Sequence, residues 1–205
     1  MSDISHAAVL VFDGFESLDA FGPYEVLAVG AGVDAAPDYD VSLVTAEPAD
    51  TVTSAHGATV VPDGTVADVD PDLLVVPGGG WNDAADSGAR AEADRGVVPE
   101  LLADLAPTTI IAGVCTGGML IARASLLDGR PAVTHAGALD DLRATDAEVV
   151  EARVVDAGDV LTAGGVTSGI DLALYLLARE FGLEVAAAVE ETIEHERYGD
   201  VHVAD

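Results

Sequence analysis

The sequence predicts an α/β sandwich around a mainly parallel sheet. Short runs of strand length alternate along the chain with longer segments of helical periodicity. Several of those runs are apolar throughout, as in strands buried on both faces. Turn signals rich in Gly, Asp and Pro separate them.

Residues 7–12 (AAVLVF) read as the first buried strand, and Asp13-Gly14 as the turn after it. A helix is expected from Ser17 or Pro23 to Ala31, because proline is tolerated only in a first helical turn. Residues 39–45 form a second strand and residues 58–61 a short strand or hairpin arm. Residues 73–76 (LLVV) are a third buried strand, running into Pro77-Gly78-Gly79-Gly80, a loop suited to close backbone approach. Residues 83–95 are polar and read as an exposed loop leading into a helix, with residues 91–105 amphipathic enough for one continuous helix. Residues 109–114 (TIIAGV) are a further buried strand, followed at once by a helix start. A short strand over 132–134 ends at His135, and a short helix follows over 138–143. Residues 149–155 and 160–163 look like two strands joined by the turn at 156–159. A strongly apolar helix over 168–181, an amphipathic helix over 184–196 and a loose tail complete the chain. No repeat or linker interrupts it, so residues 1–205 are expected to form a single domain.

Half the residues are hydrophobic and only 4% aromatic, so Val, Ala, Leu and Ile must fill the core. No apolar run reaches the ~20 residues a membrane helix needs, and no secretory signal is evident. A single cysteine excludes an internal disulfide and a multi-cysteine zinc site, and fits a reducing cytoplasm. Asp and Glu total 37 against 8 basic residues, all of them arginine, for a formal net charge of -29. Nucleic acid and anionic membrane surfaces are therefore unfavourable partners. Such acidity suits a very salty cytoplasm, because at ~1 M salt the Debye length is only ~3 Å and surface charges scarcely repel.

Cys115 is the most informative residue. It stands between a buried strand and a helix start, with glycine at 113, 117 and 118, which is the context of a nucleophile elbow. The adjacent helix N-terminus should favour its thiolate. A buried structural cysteine is the alternative. In open α/β sheets, sites form beyond the carboxyl ends of the strands. Four segments converge there: residues 16–19, residues 78–81, Cys115-Thr116, and Gly164-Gly165-Val166-Thr167. Asp19 is either a partner of the cysteine with a raised pKa or a first-turn helix acid, with Glu16 and Glu25 as rival carboxyls. Gly78 and Gly79 either make a turn or present a backbone N–H that, with that of Thr116, steadies a developing anion. His135 is either an ordinary strand-end histidine or a neighbour of Cys115. No trusted metal-ligand spacing occurs.

Taken in order, these segments resemble the ThiJ/PfpI family of the class I glutamine amidotransferase-like superfamily. The resemblance runs through VFDGFE at 11–16, Leu18-Asp19 with Gly22-Pro23, VPGG at 76–79, GVCTG at 113–117, Thr134-His135 and AGGVTSGID at 163–171. Within it, the chain looks most like the isonitrile hydratase branch, which has aspartate in a Leu-Asp-x-x-Gly-Pro segment and threonine after the cysteine. The resemblance implies a flavodoxin-like three-layer sandwich with helices on both faces, and a homodimer. It implies Cys115 as nucleophile, Asp19 as acid/base partner, Thr116 as a hydrogen-bonding neighbour, and the N–H groups of Gly79 and Thr116 as the anion-stabilising pair. Gly78, Trp81, His135 and Gly165 are the expected substrate contacts, and pocket shape should depend on Phe21, Trp81 and the loop after Ala136. Such an enzyme hydrates a small isonitrile to an N-substituted formamide and needs no metal or organic cofactor. Thr116 in place of a histidine disfavours peptide or glutamine hydrolysis. Two alternatives stay open: a glyoxalase or deglycase acting on reactive carbonyls, and a cysteine-based redox sensor.

Overall fold

The computed structural model describes residues 4–83 and 85–204. In chain order the elements are β1 (His6–Leu10), α1 (Ser17–Ala31), β2 (Asp40–Thr45), β3 (Val52–Thr53), β4 (Thr59–Val60), β5 (Gly64–Thr65), α2 (Val66–Val69) and β6 (Leu73–Val76). They continue with α3 (Ala89–Arg95), α4 (Val97–Leu105), β7 (Ile110–Val114), α5 (Gly117–Arg123), β8 (Pro131–Ala132), α6 (Leu139–Arg143) and β9 (Glu148–Val149). The last are β10 (Val154–Asp156), β11 (Val160–Ala163), α7 (Ser168–Phe181), α8 (Leu183–Ile193) and β12 (Val201–Val203).

Eight strands form the central sheet in the order β12-β10-β11-β7-β6-β1-β2-β5. Pairing is parallel from β11 to β5, and β10 turns antiparallel against β11, carrying β12 with it. From β1 the chain crosses through α1 to β2 on one side. From β6 it crosses through α3 and α4 to β7 in the opposite direction. Right-handed crossovers in opposite directions place their helices on opposite faces. Accordingly α1, α7 and α8 pack together as one group, and α3, α4 and α5 as another. This is the flavodoxin-like α/β sandwich. The strand order reverses around β1 and β6, so the crevice for a ligand lies outside the carboxyl ends of β1, β6 and β7. Those strands are apolar because both faces are covered: Ala8, Val9 and Leu10, Leu74, Val75 and Val76, and Ile111 and Ala112 are fully buried.

Four local expectations need correction. The helix expected over 91–105 is two, because Gly96 sits at φ +81 and caps α3 while opening α4. Pro23 lies inside α1 rather than in its first turn. Residues 149–155 are not one strand, because β9 pairs with β8 and only β10 forms the hairpin with β11. The loose tail is partly a strand, since β12 pairs with β10 and extends the sheet. No helix among the described residues is long and apolar enough to cross a membrane.

Candidate active site

Cys115 follows β7 directly and takes a left-handed conformation at φ +56. That turn is held from all sides. Its N–H donates to the carbonyls of Ala163 (3.1 Å) and Gly164 (2.9 Å), and its carbonyl accepts from Thr134 Oγ1 at 2.8 Å. The sulfur faces the backbone N–H groups of Val166 and Thr116. Val166 is also left-handed, at φ +33, which is rare for a β-branched residue. Strained residues of this kind cost roughly 1–3 kcal/mol each and persist where the surroundings over-determine them. The turn needs glycine at 117, where a Cβ would lie 2.0 Å from the carbonyl oxygen of Val76. At Gly78 a Cβ would lie 2.4 Å from Thr116 Oγ1, so β6 and β7 deliver their loops into direct backbone contact.

The first turn of α1 brings Asp19 beneath this contact. Asp19 is fully buried. Its Oδ2 accepts from the Gly78 N–H at 2.9 Å, while Oδ1 has no nitrogen or oxygen partner among the described residues, leaving the Cys115 thiol as the other group against the carboxyl. Burial pushes its pKa from 3.8 up to about 7, against the lowering effects of the Gly78 N–H and the Cys115 thiol, with the Glu16 charge adding to the rise. Burial likewise pushes the Cys115 thiol up to about 12, helped by the Asp19 charge and opposed by the N–H groups of Val166 and Thr116. The thiolate expected from the helix N-terminus is thus not the resting form. Helix α5 has only seven residues, and its terminal N–H groups are outweighed by desolvation. The pair rests as a thiol beside a carboxyl that titrates near neutrality.

The rival carboxyls are placed elsewhere. Glu16 meets His56 Nε2 at 3.0 Å and reaches Asp19 only through its charge, and Glu25 is exposed. The Gly79 N–H donates to Thr116 Oγ1 at 3.0 Å. Two free N–H groups for an anion are therefore not what this loop presents, because the Thr116 hydroxyl stands between. That hydroxyl, already an acceptor, keeps its own proton to donate. His135 Nδ1 accepts from the Gly137 N–H at 3.1 Å, so a neutral ring carries its proton on Nε2. Its ring packs on Gly165, where a Cβ would fall 2.6 Å from Cδ2. Trp81 is buried, with Nε1 donating to Asp141 Oδ2 at 2.7 Å and the Arg90 guanidinium 4.6 Å from its ring centre. Sequence reasoning missed Val166 and Thr134 as direct partners of Cys115. Thr134 precedes a residue it did flag, but nothing in the spelling of Val166 announces a left-handed backbone.

The chain matches the model of the DJ-1/PfpI family over residues 5–179. It is 35% identical over 187 residues to the isonitrile hydratase of Pseudomonas putida, spanning 91% of this chain and 76% of that protein. A deglycase of Pyrococcus horikoshii is 30% identical over 134 residues, 64% of this chain and 74% of that one. Among solved structures, a THiJ/PfpI family protein from Pseudomonas syringae superposes with a TM-score of 0.82 at 28% identity, over 94% of this chain and 75% of that one. With a matching family model across most of its length and the same α/β architecture, the chain belongs to the DJ-1/PfpI family.

Proposed function

We propose that the protein is a cysteine-dependent hydro-lyase that adds water to a small isonitrile, R–N≡C, giving an N-substituted formamide. What supports this best is the buried Asp19–Cys115 pair, a carboxyl titrating near 7 set against a thiol that burial pushes up to about 12. The terminal carbon of an isonitrile carries a lone pair and, once protonated, becomes an electrophile. It must receive a proton and a nucleophile on the same atom. A neutral thiol supplies both. Asp19 carboxylate takes the proton from Sγ and passes it to that carbon while the S–C bond forms, leaving the thioimidate Cys115–S–CH=N–R. Water then adds to the carbon, the C–S bond breaks, and the nitrogen and sulfur each end with one proton. The products are R–NH–CHO and the starting thiol. The Thr116 hydroxyl, backed by the Gly79 N–H, is the donor suited to the substrate nitrogen. A raised thiol pKa suits this addition, because the thiol proton is itself consumed and returned.

Purified protein in multimolar KCl, offered an alkyl isonitrile, should produce the formamide, and Cys115→Ser should not. Methylglyoxal is the control substrate, since a thiol–carboxyl pair also adds to carbonyls and a deglycase is among the similar proteins. Lactate in place of formamide would move the assignment to that chemistry, and silence with both would leave the redox-sensor alternative.

A further inference from the structure

Gly78 and Gly79, in a run of three glycines, carry the N–H groups that meet Asp19 Oδ2 and Thr116 Oγ1. Gly79 and Gly80 stand at φ +117 and +63, and glycine has the widest backbone freedom of any residue. Where those N–H groups point therefore depends on what grips the loop. On the carbonyl side, Gly78 accepts from the Glu16 N–H at 2.8 Å and Gly79 from the Ala89 N–H at 2.7 Å. At the start of the run, β6 is paired on both sides. The far end is Trp81, and two helices hold it. Arg90 of α3 donates from Nε to the Trp81 carbonyl, with its guanidinium 4.6 Å from the ring centre. Asp141 of α6 accepts at Oδ2 from Trp81 Nε1 at 2.7 Å and from Arg90 Nη2 at 3.1 Å. The three side chains close a ring of contacts around the residue that ends the glycine run.

The Arg90 and Asp141 side chains are 33% and 49% exposed. An ion pair this open to solvent contributes only about 0–1 kcal/mol to stability. Its geometry is more particular than that. A planar guanidinium donates to a carbonyl and a carboxylate at once while covering an aromatic ring, which a lysine at the same place would not do.

We propose that Arg90 and Asp141 are positioning residues, which set the Gly78 and Gly79 N–H groups against Asp19 and Thr116 by holding Trp81. This rests on the reading of Asp19 and Cys115 as a working pair, but it can be tested without isonitrile turnover. Iodoacetamide converts a thiol to S–CH₂–CO–NH₂ with loss of HI. Cys115 is the only cysteine, so intact mass reads that residue alone. The labelling rate should rise through about pH 7, as Asp19 ionises and takes the thiol proton, and Asp19→Asn should lack this limb. Among the described residues, the other ionisable group that bears on Asp19 is Glu16, itself bridged to His56, and both stay in place.

Freeing the loop weakens the Gly78 N–H bond, which favours the carboxylate. The limb should therefore move up by about half a pH unit to one pH unit in both Arg90→Gln and Asp141→Ala. These substitutions remove charges of opposite sign, so an effect of charge alone would move the limb up in the first and down in the second. Asp141→Asn keeps an oxygen for Trp81 Nε1 and should stay close to the wild type. With an alkyl isonitrile, the two shifted variants should lose about tenfold or more in kcat with KM little changed, the mark of misplaced rather than missing groups. A role confined to stability would lower the melting midpoint and leave the limb where it was. Opposite shifts, an unmoved limb in either variant, or no limb in the wild type would overturn the positioning role. Shifted limbs without formamide from the wild type would keep that role and overturn the isonitrile reading.

Discussion

Asp19 is a carboxyl held where its charged form is disfavoured. Moving it from 3.8 to about 7 corresponds to on the order of 4 kcal/mol. Its folded pKa lies above the unfolded one, so the folded state binds the extra proton. Stability should therefore decline as pH climbs from about 4 to about 7, with the full cost present above that. Asp19→Asn removes the ionisation, so it should melt higher than the wild type at pH 8 and lose most of that advantage at pH 4. Equal melting differences at both pH values would contradict the buried-carboxyl picture. For turnover, the working form is the pair with one proton, which dominates between about 7 and about 12. Isonitrile kcat/KM should rise through pH 7 and then level off. Asp19→Asn should lose about 10²–10⁴-fold, the usual share of a positioned acid/base, and lose the pH 7 limb with it. Cys115, Asp19 and Gly78 were legible as candidates because each lies in the segment that follows a buried strand, Asp19 in the first turn of α1, where the fold class itself says sites form. The raised pKa of Asp19 was one of its two readings from sequence, but the protonated thiol of Cys115 was not legible, since desolvation depends on what covers the pair.

Elements were misread where pairing is non-local or a single residue breaks a pattern. The apolar periodicity of residues 91–105 runs on across Gly96, but the backbone there is left-handed. Gly96→Ala should lower stability by about 1 kcal/mol, seen as a lower urea midpoint with the slope unchanged. Pro23 cannot donate a hydrogen bond to the Asp19 carbonyl, which ordinarily ends or kinks a helix. Its ring instead provides the surface on which α7 starts: at Gly169 a Cβ would lie 3.1 Å from Pro23 Cγ. The proline is tolerated for its packing, a reason visible only once residues far apart in the sequence meet. Likewise the three residues of β12 carry too short a pattern to announce a strand. Their pairing with β10 and the Asp171 contacts to Arg153, His195 and Tyr198 are what order them. By contrast β6 and α7 fall at the residues the sequence indicates, because a short unbroken apolar run and a long, strongly apolar stretch of helical length are strong local signals.

Across the molecule, every one of the eight arginines is paired with a carboxylate, from Arg90 on Asp141 to Arg197 on Glu190. With 37 acidic side chains in the chain, most carboxylates have no cation to face. In dilute buffer that excess repels itself and opposes compaction. We propose that the protein works in concentrated salt, where the repulsion is screened within ~3 Å. Raising KCl from 0.1 M to ~2 M should lift the melting midpoint by roughly 10 °C, the shift that a few kcal/mol gives at this size. A midpoint indifferent to KCl would argue against adaptation to salt. Composition alone gave this charge. The engagement of every arginine needed the fold.

Trp81 is the only tryptophan, 3% exposed, stacked near Arg90 and tied to Asp141 from the loop that also carries Gly78 and Gly79. It is thereby a built-in optical reporter. Excited near 295 nm, its emission should be blue-shifted and partly quenched in the native protein, so displacement of that loop by a bound molecule can be followed without attaching a dye.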